Sequence, residues 1–340
     1  MKKVTVSDQM AGLYKRLVDV GLPKSYVQSQ GLPDWWCDEY EQSEGAIVTA
    51  AAHLSKRFNL DFQSLLNDQD QPRFILSSQP KYKLQNGIDP QNLPVPSSIA
   101  AKIAEIVASA CKLPYQPIEK LSVAEIRAEI LDSSIFVDLK SLLNFCWSRG
   151  IPVVHFDQFP RAKGIKKFQG MVACFHQRPV IVLSLNDSSP SRLLFIVAHE
   201  LGHILKGHLS LTNTNLLVDE EVKQESKDPE EVDANEVASE LLLGQPNKSY
   251  ATERNYTAKQ LCEYAREVGY SDEVSPGVVV QNYGWHKNHW GSATAALKLL
   301  EPHANAPQQV NRRLLTNLDW DNLGNDYEEY LELSLGLDRG

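Results

Sequence analysis

Cysteine is scarce and unpaired in this chain. The 340 residues hold five, Cys37, Cys111, Cys146, Cys174 and Cys262, an odd number with no Cys-x-x-Cys spacing. That argues against a zinc ribbon or a disulfide framework and reads as a reduced, cytoplasmic protein. Long apolar runs are also missing. No stretch approaches the ~18–20 uninterrupted apolar residues of a membrane span. Met1-Lys2-Lys3-Val4-Thr5-Val6-Ser7-Asp8 leads into no apolar core with a small-residue cleavage site, so no secretory signal is expected. Positive charge is in deficit: 34 Lys and Arg stand against 43 Asp and Glu, a net charge of -9. Indiscriminate nucleic-acid binding is therefore not expected, although a local basic face is not ruled out. There is no internal repeat and no low-complexity tract. What remains is an ordinary globular composition, 42% hydrophobic, with material for a sizeable core and a length that suggests about two domains.

Residues 1–78 read as an all-α module. Leu13, Leu17 and Val18 have helical spacing and Gly21 stops that helix. Lys24 to Gln30 is a short second helix, Gly31-Leu32-Pro33 turns the chain, and Asp34 can cap a third helix through Trp35, Trp36 and Tyr40. Two short helices about a Gly-containing turn suggest a helix-turn-helix. A further helix, Ala46 to Phe58, ends at Asn59. Residues 1–80 carry 8 basic against 10 acidic side chains, without the basic footprint of a DNA reader. DNA binding and protein docking both stay open for this module. Residues 79–98, with Pro80, Pro90, Pro94, Pro96 and Gly87, have linker composition. Helices are expected near 98–112, 122–131 and 137–149. Strands are expected at Ile151–Phe156, Phe168–Phe175 and Val180–Leu185.

The chemistry is concentrated after those strands. Ser189 can cap a helix with Pro190 in its first turn, and that helix runs into His199-Glu200-Leu201-Gly202-His203. Histidines at i and i+4 lie one turn apart on one helix face, so both can reach a single metal ion. Glu200, beside His199, can serve as a general base without ligating the metal.

A catalytic zinc needs a third protein ligand and an open position. The pattern HExxHxxGxxH would need histidine at 209, where Leu209 stands; His208 is one residue short and Lys206 replaces the glycine. His208 reads instead as a helix C-terminal histidine facing the dipole. The alternative is a carboxylate from the segment 230–243. Helical phase there puts Glu231, Ala234, Asn235, Ala238, Leu241 and Leu242 on one small and apolar stripe, and Asp233, Glu236 and Glu240 on the polar one. Glu231 is therefore the candidate third ligand. Asn235, one turn on, can orient a ligating histidine.

The HELGH sequence, followed about 28 residues later by E-x-D-A-N-x-x-A-x-x-L-L, resembles the ImmA/IrrE metallopeptidases, whose pattern is HExGH and then E-x-E-A-N-x-F-A-x-x-L-L. The resemblance reaches upstream to Gly150-Ile151-Pro152-Val153 and Val180-Ile181-Val182-Leu183, and downstream to Ser275-Pro276-Gly277-Val278-Val279-Val280. It covers roughly residues 120–300. Asp233 and Val237 depart from the family's Glu and Phe. The resemblance implies an α+β, mostly helical chain: a zincin-like metallopeptidase domain with a small sheet at 99–300, beside the helix-turn-helix-like module. It also implies a regulatory role, cleaving or inactivating a helix-turn-helix repressor.

The expected activity is that of a zinc endopeptidase. Zn2+ would be held by His199, His203 and Glu231, with Glu200 moving the proton during attack of water on a peptide carbonyl. Its partner would be a protein substrate, with no membrane involved. The alternative is a non-proteolytic DNA- or repressor-binding regulator whose metal is mainly structural. His286 and His289 are candidates to stabilise the oxyanion. The strand Val180–Leu185 is a candidate to pair with an extended substrate. The acidic loop 213–229 reads as a solvated insertion, and 301–340 as an acidic tail that docks in cis or binds a partner.

Overall fold

The computed structural model describes residues 6–75, 81–83, 94–163, 165, 167–209, 215–219 and 226–338. The N-terminal module is helical: α1 (Val6–Asp19), α2 (Lys24–Tyr26) running on as a π-helical turn to Gly31, α3 (Ala46–Phe58) and α4 (Phe62–Leu66). Asn59 ends α3 in the left-handed conformation (φ 61°), and the Asp61 side chain caps α4. The expected third helix through Trp35, Trp36 and Tyr40 does not form. Residues 32–39 are turns and irregular backbone, followed by a short 3₁₀ turn at Tyr40–Gln42. Glu41 explains why: it accepts hydrogen bonds from Tyr14, Gln28 and Trp36, so tertiary contacts fix the loop in place of a cap. The helix-turn-helix expectation loses its second helix here.

Part of the expected linker is structured. Residues 81–83 form β1 (Lys81–Lys83), and Pro94 opens α5 (Pro94–Ala110); positions 79–80 and 84–93 lie outside the described residues. Then come α6 (Val123–Leu131) and α7 (Leu139–Ser148), each begun by a capping box, from Ser122 with Glu125 and from Asp138 with Ser141. Gly150, at φ 66°, turns the chain into β2 (Val153–His155). A hairpin follows, β3 (Gly170–Phe175) and β4 (Arg178–Leu183). Its two-residue turn puts His176 and Gln177 at φ 53° and 60°, the conformation that matches strand twist in tight hairpins.

The chain continues through α8 (Pro190–Leu205), β5 (Asn215–Asp219) and α9 (Pro229–Leu243). It closes with α10 (Ala258–Asp272), α11 (Pro276–Lys287), α12 (Trp290–Leu300), α13 (Ala306–Asn317) and α14 (Asn325–Leu335). The sheet order is β1-β5-β3-β4-β2. β3 is antiparallel to both β4 and β5, while β2 runs parallel to β4 and β1 parallel to β5. Consecutive residues of β3 and β4 are buried, because α5 and α8 both pack on them and cover the two faces. No described helix is long and apolar enough to cross a membrane.

Two expectations about loops change. The acidic stretch 213–229 is not simply a solvated insertion: Leu216, Leu217, Val218 and Asp219 on β5 are buried. Its positions 213–214 and 220–225 lie outside the described residues. The acidic segment after residue 300 is folded and docks in cis. Arg57 of α3 is fully buried, donates to the Leu32 carbonyl, and forms ion pairs with Asp326 (2.9 Å) and Glu329 (2.8 Å) of α14. His53 adds a 2.9 Å contact to Asp326. Tyr330 and Leu331 bury the apolar face of α14 beneath these charges.

Burial opposes the charge on Asp326, but the His53 hydrogen bond and the Arg57 guanidinium outweigh it and hold the carboxyl at about 2. A depressed carboxyl stabilises the fold fully above its unfolded value, about 3.9. That contribution is lost as pH falls toward 2. Replacing both anions, Asp326→Asn with Glu329→Gln, leaves a buried guanidinium without either counter-charge. The expected cost is about 3 kcal/mol, at the low end for a broken buried pair because Glu329 is partly exposed to water. Urea denaturation of the double variant at pH 7 measures it; an unchanged midpoint would contradict the docking role.

Candidate metal centre

The centre is built where α8 crosses α9. The Ser189 side chain accepts from Arg192 N–H and caps α8, with Pro190 in its first turn. Glu301 completes that cap. It receives hydrogen bonds from the Ser189 and Ser191 hydroxyls and, at 3.1 Å, from Ser191 N–H, a carboxylate at the positive end of the helix. Ala198, His199, Glu200, Leu201, Gly202 and His203 are all buried. Gly202 sets the helix spacing: a Cβ there would lie 2.9 Å from the Ala234 carbonyl of α9. With no side chain at 202 and only a methyl at 234, the backbones approach closely. Glu231 and Asn235, on either side of Ala234 along α9, then face the two histidines. The small and apolar stripe expected from helical phase is the buried one.

His199, His203, Glu231 and Asp219 each offer a ligand atom, and these atoms lie within 4.8 Å of one another. The two Nε2 atoms are 3.1 Å apart. Glu231 places one oxygen 3.4 Å from His199 Nε2 and the other 3.4 Å from His203 Nε2. Asp219 Oδ2 is 3.5 Å from His203 Nε2 and 3.8 Å from His199 Nε2. Metal bonds of about 2.0–2.2 Å at a tetrahedral ion put neighbouring ligand atoms roughly 3.3–3.6 Å apart. The observed spacings bracket that range, so the residues fit a first-row divalent ion.

The outer nitrogens of both histidines are engaged. His199 Nδ1 donates to Asn235 Oδ1 at 3.0 Å, which leaves Nε2 with its lone pair turned to the cluster. His203 Nδ1 lies 2.8 Å from Nδ1 of His208, whose Nε2 is 3.6 Å from Asp233 Oδ2. His208 therefore acts on His203 and not on the helix dipole alone. Asp233, assigned by phase to the polar stripe, supports His208 from there.

Glu200 is completely buried, and its carboxyl sits against Gly170 at the start of β3, where a Cβ would overlap Oε1. Its carboxyl lies within hydrogen-bond reach of the Asp219 carboxyl. Burial, and then the neighbouring Asp219 and Glu231, push its pKa well above the usual carboxylate range. Burial also opposes charge on Glu231, but the two histidines overcome it and hold that carboxyl far below its usual value. His203 is pushed down to about 4, chiefly by burial, which favours the neutral imidazole that ligates metals. Three buried carboxyls gathered beside two imidazoles are a costly arrangement in isolation, and a divalent cation among them would offset that cost.

His286 is exposed near the end of α11 and His289 precedes α12; neither joins the cluster. Trp285 of the same segment packs on Phe195, one turn before His199, at 5.5 Å between ring centroids. The oxyanion expectation for these two histidines gains no contact. Substrate pairing along Val180–Leu185 fails on topology, because β4 is hydrogen-bonded on both sides, to β2 and to β3. Asp219 and Gly170 escaped sequence reasoning. Their only signals were the short apolar run Leu216-Leu217-Val218 before an acid and a glycine opening a strand.

Two imidazoles on one helix, a carboxylate from the next and a buried acid beside them form a group that could hold a metal ion. Residues 148–274 match the IrrE N-terminal-like domain, Peptidase_M78, and this segment is a metallopeptidase domain of the ImmA/IrrE family. The match holds the whole cluster, from β2 through α10, and supports a metallopeptidase-type function for a protein substrate. It leaves the N-terminal module outside. No curated protein and no solved structure matches the chain.

The helix crossing can be tested directly. Gly202→Ala forces α8 and α9 apart and should cost about 1–3 kcal/mol, as overpacking does. Thermal denaturation reads the loss; a neutral substitution would show that the crossing tolerates a methyl group.

Proposed function

We propose that the protein is a zinc-dependent endopeptidase of narrow specificity that cleaves a regulatory protein, in particular a helix-turn-helix transcriptional repressor. One observation carries the catalytic half: Nε2 of His199, Nε2 of His203 and the carboxylate of Glu231 stand at tetrahedral ligand spacing, with an acid that ligates nothing buried beside them. The imidazole and carboxylate donor set suits zinc best among first-row ions. The repressor as substrate is supported by the resemblance to the ImmA/IrrE metallopeptidases.

When bound, the ion supplies Lewis acidity, polarising a carbonyl and making water acidic enough to attack at neutral pH. The chain does the rest. Glu200 holds the proton acceptor: an oxygen takes the proton of the attacking water and later returns it to the departing amine. Its raised pKa in the buried setting matches the second task, donation. Gly170 keeps room for that carboxyl. Asn235 fixes the ring of His199, and His208 that of His203, so both present Nε2 to the cluster. A site serving only structure has no need of Glu200, which weighs against the non-proteolytic alternative.

Elemental analysis of the purified protein should find about one zinc per chain, lost or greatly weakened in a folded Glu231→Ala variant. Glu200→Gln should keep the metal and lower cleavage of a proteome-derived peptide library by about 10²–10⁴-fold, the usual worth of a general base. A metal-free wild type would sink the assignment, and so would Glu200→Gln cleaving at the wild-type rate.

A further inference from the structure

The cluster holds one carboxylate more than a hydrolytic centre needs. On the reading above, two histidines and Glu231 hold the metal and a fourth position stays open. Asp219 reaches the same two nitrogens: its Oδ2 is 3.5 Å from His203 Nε2 and 3.8 Å from His199 Nε2. We infer that Asp219 is a fourth protein ligand that closes the centre in the resting protein, with β5 as a built-in competitor for substrate; this rests on the metal-centre reading.

The strand geometry supports the assignment. Asp219 lies opposite Gly170 in the antiparallel β3–β5 ladder, and Gln169 N–H donates to its carbonyl at 2.9 Å. The backbone of Asp219 is thus pinned beside the strand that makes room for Glu200. Leu216, Leu217 and Val218 bury the rest of β5, and Asp219 itself is 1% exposed. Its Oδ2 reaches both ligand nitrogens, and its carboxyl lies within hydrogen-bond reach of Glu200.

The sheet adds a second constraint. An extended peptide binds a sheet by adding to a free edge. β4 has none, and the edge of β3 facing away from β4 is taken by β5, with β1 paired beyond it. A peptide could pair with β3 beside the centre only where β5 now lies. Opening the fourth position and freeing that edge are therefore one event, the departure of β5. The exchange balances simply: an Asp219 oxygen leaves the ion and a water oxygen replaces it, with no other bond made or broken.

The test uses the full chain loaded with one equivalent of Co2+, compared with Asp219→Ala and the near-isosteric Asp219→Asn, with folding checked by circular dichroism. Acetohydroxamate serves as probe of an open coordination position, read by the visible spectrum. The wild-type spectrum should not respond to it. Both variants should retain one Co2+ per chain, hold it at least about ten-fold more weakly, since even loss of an outer partner costs 10–100-fold, and shift on adding the probe. If Asp219→Ala does not fold, Asp219→Asn alone decides. A wild-type spectrum that responds as the variants do, or equal Co2+ affinity in all three proteins, overturns the inference while leaving the metal centre standing. A wild type that takes up no Co2+ overturns both.

Discussion

The close crossing of α8 over α9 is the constraint on which the centre depends. His199 and His203 come from one helix and Glu231 and Asn235 from the other, so their convergence is set by how near the two backbones run. Gly202 and Ala234 permit that approach because neither carries a side chain beyond a methyl. A larger residue at either place would move the carboxylate away from the imidazoles by more than a metal bond tolerates. The glycine inside the HELGH sequence, a weak helix former, is thus best explained by packing. Glu301 holds the far end of α8, and so connects the ligand helix to the segment after α12.

Electrostatics gives the crossing its chemical meaning. Burying Glu200, Asp219 and Glu231 together is unfavourable unless something positive sits among them. His203 does not supply the charge, because burial favours its neutral form. By contrast Arg57, equally buried, meets two carboxylates directly. One buried charge cluster in this protein carries its own cation, and the other could hold a metal ion.

Much of the centre was legible in the sequence, for a clear reason. Helical phase is a strong signal over fifteen residues, so the stripe from Glu231 to Leu242 and the pair His199 and His203 were assigned before any contact was known. The outer partner Asn235 followed from the same phase. What was hidden depends on distant contacts. β5 is a run of three apolar residues in an acidic segment, and local composition outvoted it. The helix expected at Trp35 and Trp36 is undone by hydrogen bonds to Glu41, one of them from Tyr14, 27 residues earlier. The acidic C-terminal segment seemed a tail because its counterion, Arg57, lies about 270 residues earlier.

That long-range pairing changes how the parts relate. The N-terminal module packs on α5 and, through Arg57 and His53, on α14. α5 in turn covers β3 and β4, whose other face carries α8. A change at the module is therefore separated from the metal centre by one helix and one sheet. The module's contacts provide a physical route by which a bound partner could strain β3 and the strand paired to it. If β5 must leave before a peptide can enter, the economical place to drive it is this sheet. β5 is hydrogen-bonded to β3, which α5 covers, so strain from the module would reach it through that pairing.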